Sequence, residues 1–446
     1  MDPVFLSRLQ FGLTIGFHYI FPKLTIGLSW LIFWIMTRYW RTGDDLYRVM
    51  ARFWLHVFAL GFAIGVATGV VMEFEFGTNW ANYSRFVGDI FGAPLAAEGV
   101  IAFFLESSFL GMLLFGWNRL SVRTHWFSSL MVAVGATMSA FWIIVANSWQ
   151  QTPAGYEMVN GRPLLTSFFE AVFNPSTIAR FTHVMIGALI AGSFFMLGLS
   201  AWFLLKKKHL AFAKESIRLA LVVALLASVA QWGSGDRHAV QMGRTQPTKL
   251  AAVEGLWEST ANAPLLVFAI PSEAQERNLI EITIPGLLSW SVGGSVDAVI
   301  QGLRDFNVED RPPVALVFYS FHFMVGLGLY FLLFAIVGFL LWRRKTLADN
   351  RLFLTAAVWS IPLPIIANEL GWFTTEVGRQ PWIVYQLLRT SEGYSEAVPA
   401  AQVLASIILF SVIYTLLFAL WVFLLRRLMM HGPEPLEEGK EQEVAS

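Results

Sequence analysis

The sequence contains no cysteine. That absence excludes disulfides, iron–sulfur clusters, thiolate-bound zinc and covalently attached c-type heme. Charge is scarce as well. Only 14% of the 446 residues are Asp, Glu, Lys or Arg, against about 25% in soluble domains. Acidic and basic residues balance at a net charge of zero, which suggests no nucleic-acid partner. The opening MDPVFLSRLQF lacks a basic leading segment and a small-residue cleavage site. The first apolar stretch is therefore expected to be retained rather than removed as a signal.

Apolar residues fill the space that charge leaves. The chain is 56% hydrophobic, with 18 Trp, 39 Phe and a mean hydropathy of +0.58, so lipid is the expected solvent. A bilayer core about 30 Å thick takes roughly 20 mostly apolar residues per helix. Runs of that kind lie near 11–37, 53–76, 94–116, 126–146, 180–205, 215–232, 313–342, 352–376 and 401–425. The expected fold is an all-α integral membrane protein with nine transmembrane helices. Lys206, Lys207, Lys208, Arg343, Arg344 and Lys345 fall in one set of connections. The opposite short segments hold only Arg8, Arg85, Arg162, Arg379 and Arg389, with Arg180 at a span's edge. Basic residues stay inside, so the N-terminus is expected outside and the C-terminus in the cytoplasm. The expected divisions are 1–232 (six spans), 233–312 (an outer loop), 313–430 (three spans) and 431–446 (an acidic tail). A loop as long as 233–312 is usually functional or disordered. Its QWGSGDRHAVQMGRTQPTKLAAVEGLWE stretch reads as functional.

Ionisable groups inside spans are costly and mark functional sites. His18, Glu98, His183, His322 and Met324 all lie within about three helical turns of the outer ends of their spans, and Glu376 lies at such an end. Imidazole and thioether are usual axial ligands of heme iron. His183 and Met324 suit a six-coordinate electron-transfer heme; His18, Glu98 and Glu376 suit a site with an open position. A lone intramembrane histidine serves equally well as hydrogen-bonded packing, and most of the 14 Met residues fill gaps. Packing is the preferred reading for His56, and His125, His209, His238 and His431 need no special role. Glu98 and Glu106, eight residues apart on one span near Ser139, read as stations of a proton path; the bland alternative is a pair of protonated, hydrogen-bonded acids. Pro22 is expected to kink the first helix four residues after His18.

Five segments carry a family resemblance across nearly the whole chain: SRLQFGLTIGFHY (7–19), GVATGVVMEFEFGTNW (65–80), GDIFGAPLAAEGVIAFFLES (88–107), TKLAAVEGLWE (248–258) and ELGWFTTEVGRQPW (369–382). Together they resemble subunit I of the cytochrome bd quinol oxidases. The resemblance implies two four-helix bundles plus one extra helix, in a bacterial or archaeal cytoplasmic membrane. A homologous membrane subunit II and a small single-span subunit are the implied partners, with membrane lipid around them. The implied activity is oxidation of quinol and reduction of oxygen to water, with protons drawn from the cytoplasm so that a membrane potential forms. Implied cofactors are two hemes b, one low-spin and one high-spin, and one heme d or a heme b in its place. His183 and Met324 match the low-spin ligands. His18 and Glu376 match the ligands of the paired high-spin heme b and heme d, with Glu98 also at that site; His18 and Glu98 on heme d and Glu376 on high-spin heme b is the preferred division, an arrangement that varies among members. Lys249 and Glu254 match the quinol site, on a loop of the family's short form. Glu106 matches the proton-path carboxylate, Ser139 does so more weakly, and Trp372 and Arg379 match residues packed around the paired hemes. One position departs: some members carry Arg two residues before the ligating Met, where this chain has His322. The rival readings are a diheme b-type quinol dehydrogenase and a heme-free transporter or channel.

Overall fold

The computed structural model describes residues 2–434, and the last twelve residues of the expected acidic tail lie outside the described part. The chain is mostly helical. Its long helices are α1 (Pro3–Thr42), α2 (Asp45–Thr78), α3 (Ala81–Phe115), α4 (Val122–Gln151), α5 (Thr177–Leu205) and α6 (Leu210–Thr245). A short helix α7 (Pro247–Val253) follows, then α8 (Val314–Arg343), α9 (Arg351–Val377) and α10 (Ala400–His431). Among the described residues eight helices are long and apolar enough to cross a membrane: all of the long ones except α6. In α6 only 219–230 is free of charged and amide side chains, between Arg218 and Gln231. Twelve residues of helix rise about 18 Å, short of the hydrocarbon thickness.

Local chemistry sets the helix ends. Asp2 caps α1 by accepting from Val4 N, with Pro3 at the first helical position, and Gly43 ends it in the left-handed region at φ 67°. α3 contains a π-helical stretch, Glu98–Phe103, opening on one of the candidate acids. Such stretches gather at functional sites.

Helices α1 to α4 pack on one another, and α5, α6, α8 and α9 form a second mutually packed set. α1 joins the sets through α5, and α10 lies against α1 and α2. The α1–α5 crossing depends on two glycines. A Cβ on Gly27 would collide with the carbonyl oxygen of Ala188, and one on Gly192 would come within 2.6 Å of the Gly27 backbone. Small residues let membrane helices approach this closely. Phe21, Trp54, Phe194 and Phe203 form part of the buried core around the crossing.

The connections between the helices are not purely helical. Three antiparallel hairpins occur: β1 (Tyr156–Val159) with β2 (Arg162–Leu165), β3 (Leu265–Ser272) with β4 (Arg277–Ile284), and β5 (Trp382–Val384) with β6 (Leu388–Arg389). The all-α expectation holds for the membrane part and not for these loops. LLVFAIPS and RNLIEITI are β-branched and aromatic-rich segments that pair their backbone groups with each other. The 233–312 loop is thus folded, built from the end of α6, α7, the β3–β4 hairpin and a short helix, Leu287–Gly293.

Candidate functional site

Successive spans alternate in direction, so α1 and α5, the first and fifth, run the same way. His18 and His183 each lie nine residues before the glycine at which these helices cross. Both imidazoles therefore stand at one depth, about 13 Å from the crossing and on the same side of it. Two of the residues expected at one depth, His18 and His183, share it.

His18 faces α2. Its Nδ1 lies 3.0 Å from Thr68 Oγ1, whose hydroxyl donates to the carbonyl oxygen of Ile64. The imidazole therefore donates from Nδ1, which leaves the Nε2 lone pair for a ligand-binding role. A Cβ on Gly69 would sit 3.2 Å from His18 Cε1. Glu98 projects from the π-helical stretch and accepts a 2.8 Å hydrogen bond from Ser139 Oγ of α4, so two of the proposed proton-path residues touch. Glu106 is buried against Gly135, where an added Cβ would come 3.0 Å from its own.

His183 is held from α6. Its Nδ1 lies 3.1 Å from Ser234 Oγ, which itself donates to Gln231 O, so Nδ1–H donates here too. The amide nitrogen of Gln231 lies 3.0 Å from His183 Nε2, while its Oε1 is buried without a partner. Gly235 also packs beside the ring, where an added Cβ would lie 3.6 Å from Cε1. Met324 of α8 directs its sulfur at α9, 2.8 Å from where a Gly371 Cβ would be. His322 leaves α8 on a different face. Its Nδ1 lies 2.9 Å from Phe318 O and its Nε2 2.7 Å from Leu266 O of strand β3. Both ring nitrogens are engaged by backbone carbonyls, so His322 ties the hairpin to α8.

Glu376 sits in a dense polar network. Its Oε1 accepts from Asn147 Nδ2 at 2.9 Å and Gln151 Nε2 at 3.4 Å, and its Oε2 pairs with Arg379. Arg379 is 4% exposed and also donates to Trp382 O. Arg180 donates to Asn147 Oδ1. Trp372, one turn before Glu376, packs edge-on to Phe373.

Lys249 and Glu254 lie at the two ends of α7, and both are buried. No ion pair joins them; five residues on a helix turn the side chains about 140° apart. Lys249 Nζ donates to Gln151 Oε1, and burial with Arg180 and Arg379 nearby pushes its pKa well below the ordinary lysine range. Glu254 Oε2 is buried without a hydrogen-bond partner, and burial raises its pKa to about 8. A buried acid titrating near working pH is suited to proton transfer.

Several residues escaped the sequence reading. Gln151, Asn147 and Arg180 surround Glu376; the run ANSWQQ, polar at the outer end of an apolar span, carried that signal. His238 stands with its ring 5.7 Å from that of His183. Lys23 and Glu369 are ionisable within spans, Lys23 2% exposed with its Nζ 4.5 Å above the Tyr19 ring.

The sequence profile of the cytochrome bd terminal oxidase subunit I family matches residues 6–433. The chain belongs to that family. It is 41% identical over 444 residues to the cytochrome bd ubiquinol oxidase subunit 1 of Bacillus subtilis strain 168, covering 97% of this chain and 95% of the relative. It is 36% identical over 504 residues to the cytochrome bd-II ubiquinol oxidase subunit 1 of Escherichia coli K12, covering 98% of each. Among solved structures it resembles the bd oxidase from Geobacillus thermodenitrificans, with a TM-score of 0.91 and 31% identity over 97% of this chain and 99% of that one. Membership in this cytochrome bd family implies heme, and the residues present fit it. Among the described residues no three His, Asp or Glu side chains cluster as a bare metal ion would need. A porphyrin supplies four donors itself, so a single imidazole or thioether per face suffices. Glycines stand where side chains would press on the His18 ring, the His183 ring and the Met324 sulfur, His183 Nε2 meets only the Gln231 amide nitrogen, and no cysteine is required.

Proposed function

We propose that this chain is the quinol-oxidising, oxygen-reducing subunit of a cytochrome bd-type terminal oxidase, a multi-pass protein of the bacterial inner membrane. In this reading α6 is a ninth span, shorter in its apolar part. The helices then divide into two four-helix bundles, α1–α4 and α5, α6, α8, α9, with α10 as the extra helix. The N-terminus lies outside and the C-terminus in the cytoplasm. The exposed apolar faces of α3, α8 and α10, carrying Phe104, Phe323 and Ile408, meet lipid, the homologous subunit II and a small single-span subunit.

What supports this reading is the common depth of His18 and His183, at one distance from the α1–α5 crossing. His183 and Met324 would hold a low-spin heme b, Glu376 a high-spin heme b, and His18 with Glu98 a heme d or a heme b in its place. Bound there, the hemes supply electron transfer and oxygen activation. The chain's own residues handle protons and position. Glu254 accepts a proton from quinol into a carboxyl with no competing partner. Lys249, held by Gln151, orients the quinol head. Arg379 and Asn147 fix the Glu376 carboxylate. Glu106, then Ser139 with Glu98, lead protons outward from the cytoplasmic side, so that uptake inside and release outside build a membrane potential.

Steady-state oxygen consumption by the purified complex with a short-tail quinol tests the proposal. Oxygen uptake matched to quinol oxidation is expected. Quinol oxidation that needs an added electron acceptor and consumes no oxygen would indicate a quinol dehydrogenase instead.

A further inference from the structure

The hydrogen bonds around Glu376 extend beyond its own neighbourhood. Lys249 belongs to the outer-loop helix α7 and Glu376 to the end of α9, yet one side chain touches both. Gln151 Oε1 accepts from Lys249 Nζ, and Gln151 Nε2 donates toward Glu376 Oε1 at 3.4 Å. The amide can lie only one way round. Its oxygen must face the ammonium group and its NH2 the carboxylate, because the reverse would set donor against donor and acceptor against acceptor. Gln151 is 1% exposed, so water does not screen the arrangement and each bond polarises the next.

The bridge is also held from its backbone. Gln151 is the last residue of α4, and its carbonyl oxygen accepts from Gln246 Nε2 at 2.9 Å, just before α7. Gly378 gives the lysine stem its space: a Cβ there would lie 3.0 Å from Lys249 Cγ. Asn147 and Arg379 hold Glu376 independently, so loss of Gln151 does not strip that carboxylate of partners.

We infer that Gln151 is a positioning residue that couples the quinol site to the heme site at Glu376, aligning Lys249 for the quinol head and conveying its charge to the carboxylate. The inference rests on the readings of Lys249 and Glu376 given above. Its consequence is specific. Lys249 does not touch Glu376, yet replacing it alters the heme that Glu376 holds. Sequence alone confines Lys249 to quinol binding.

The test is a redox titration with absorbance spectra of the purified holo-complex, reading the high-spin heme b. Lys249→Met and Gln151→Met are each expected to lower its midpoint potential and shift its band, since each weakens the positive environment of Glu376. The double variant is expected to fall short of the two shifts summed, the mark of one shared path. Lys249→Arg should restore most of the wild-type potential. Gln151→Asn, shorter by one methylene and unable to span both partners, should behave like Gln151→Met and serves if that variant assembles poorly. Gln151→Met should also raise KM for ubiquinol-1 more than it lowers kcat. A wild-type potential in Lys249→Met, or shifts that add fully, overturns the coupling. Glu376→Ala separates the premises: if it keeps the high-spin signal, the ligand reading fails; if it loses the signal while the shifts add, only the coupling fails.

Discussion

Burial without a hydrogen-bond partner gives Glu254 a pKa of about 8, so near neutrality most of the carboxyl is protonated. In the role proposed for it, only the deprotonated form accepts a proton from quinol. The active fraction rises about tenfold per pH unit below that pKa and levels off above it. kcat/KM for quinol is therefore expected to climb toward pH 8 and then flatten. Glu254→Gln should lower it by about 10²- to 10⁴-fold and remove the pH limb, with heme spectra unchanged; assays across pH 6 to 9 check this. Glu106→Gln tests the other proton side. It keeps shape and removes a titratable station, so turnover should fall by about two orders of magnitude at full heme content. Undiminished oxygen consumption would make Glu106 a structural acid. Arg379 is buried against Glu376, and removing one partner of such a pair costs about 3–5 kcal/mol. Arg379→Leu should therefore lower thermal stability as well as disturb the heme at Glu376.

At the scale of elements, His322 ties the β3–β4 hairpin to α8 through Leu266 O. His322→Leu should raise the hairpin's sensitivity to protease added from outside while the low-spin heme stays. Met324→Leu should do the reverse, turning that heme high-spin or losing it. Limited proteolysis beside an absorbance spectrum distinguishes the two. The long apolar helices and the shared depth of His18 and His183 were legible in the sequence because an apolar run of roughly 20 residues and an ionisable side chain within it are local signals. The hairpins were less so, since strand pairing depends on which segments meet. Two positions on a helix turn His322 and Met324 about 200° apart, but no local spacing points to the partner of His322, because Leu266 lies 56 residues away. The π-helical stretch at Glu98 left no mark in the periodicity. The Gln151 bridge was hidden for the same reason as the hairpins: its partners come from α7 and α9, and no spacing along the chain announces such a junction.

For the whole molecule, the account depends on two parallel helices meeting at Gly27 and Gly192 so that two heme positions share one depth beside the quinol loop. Gly27→Leu would force a side chain into the Ala188 backbone, and the cost of such overpacking, about 1–3 kcal/mol or more, should reduce the heme content of both compartments together. The most direct measurement is the reduced-minus-oxidised absorbance spectrum of the purified complex in wild type and in the His183→Ala, Met324→Leu and Glu376→Ala variants. The account predicts a low-spin b signal that the first two changes abolish and a high-spin b signal that the third removes selectively. A wild-type complex with no reducible heme, or a low-spin signal that survives both His183→Ala and Met324→Leu, would contradict it.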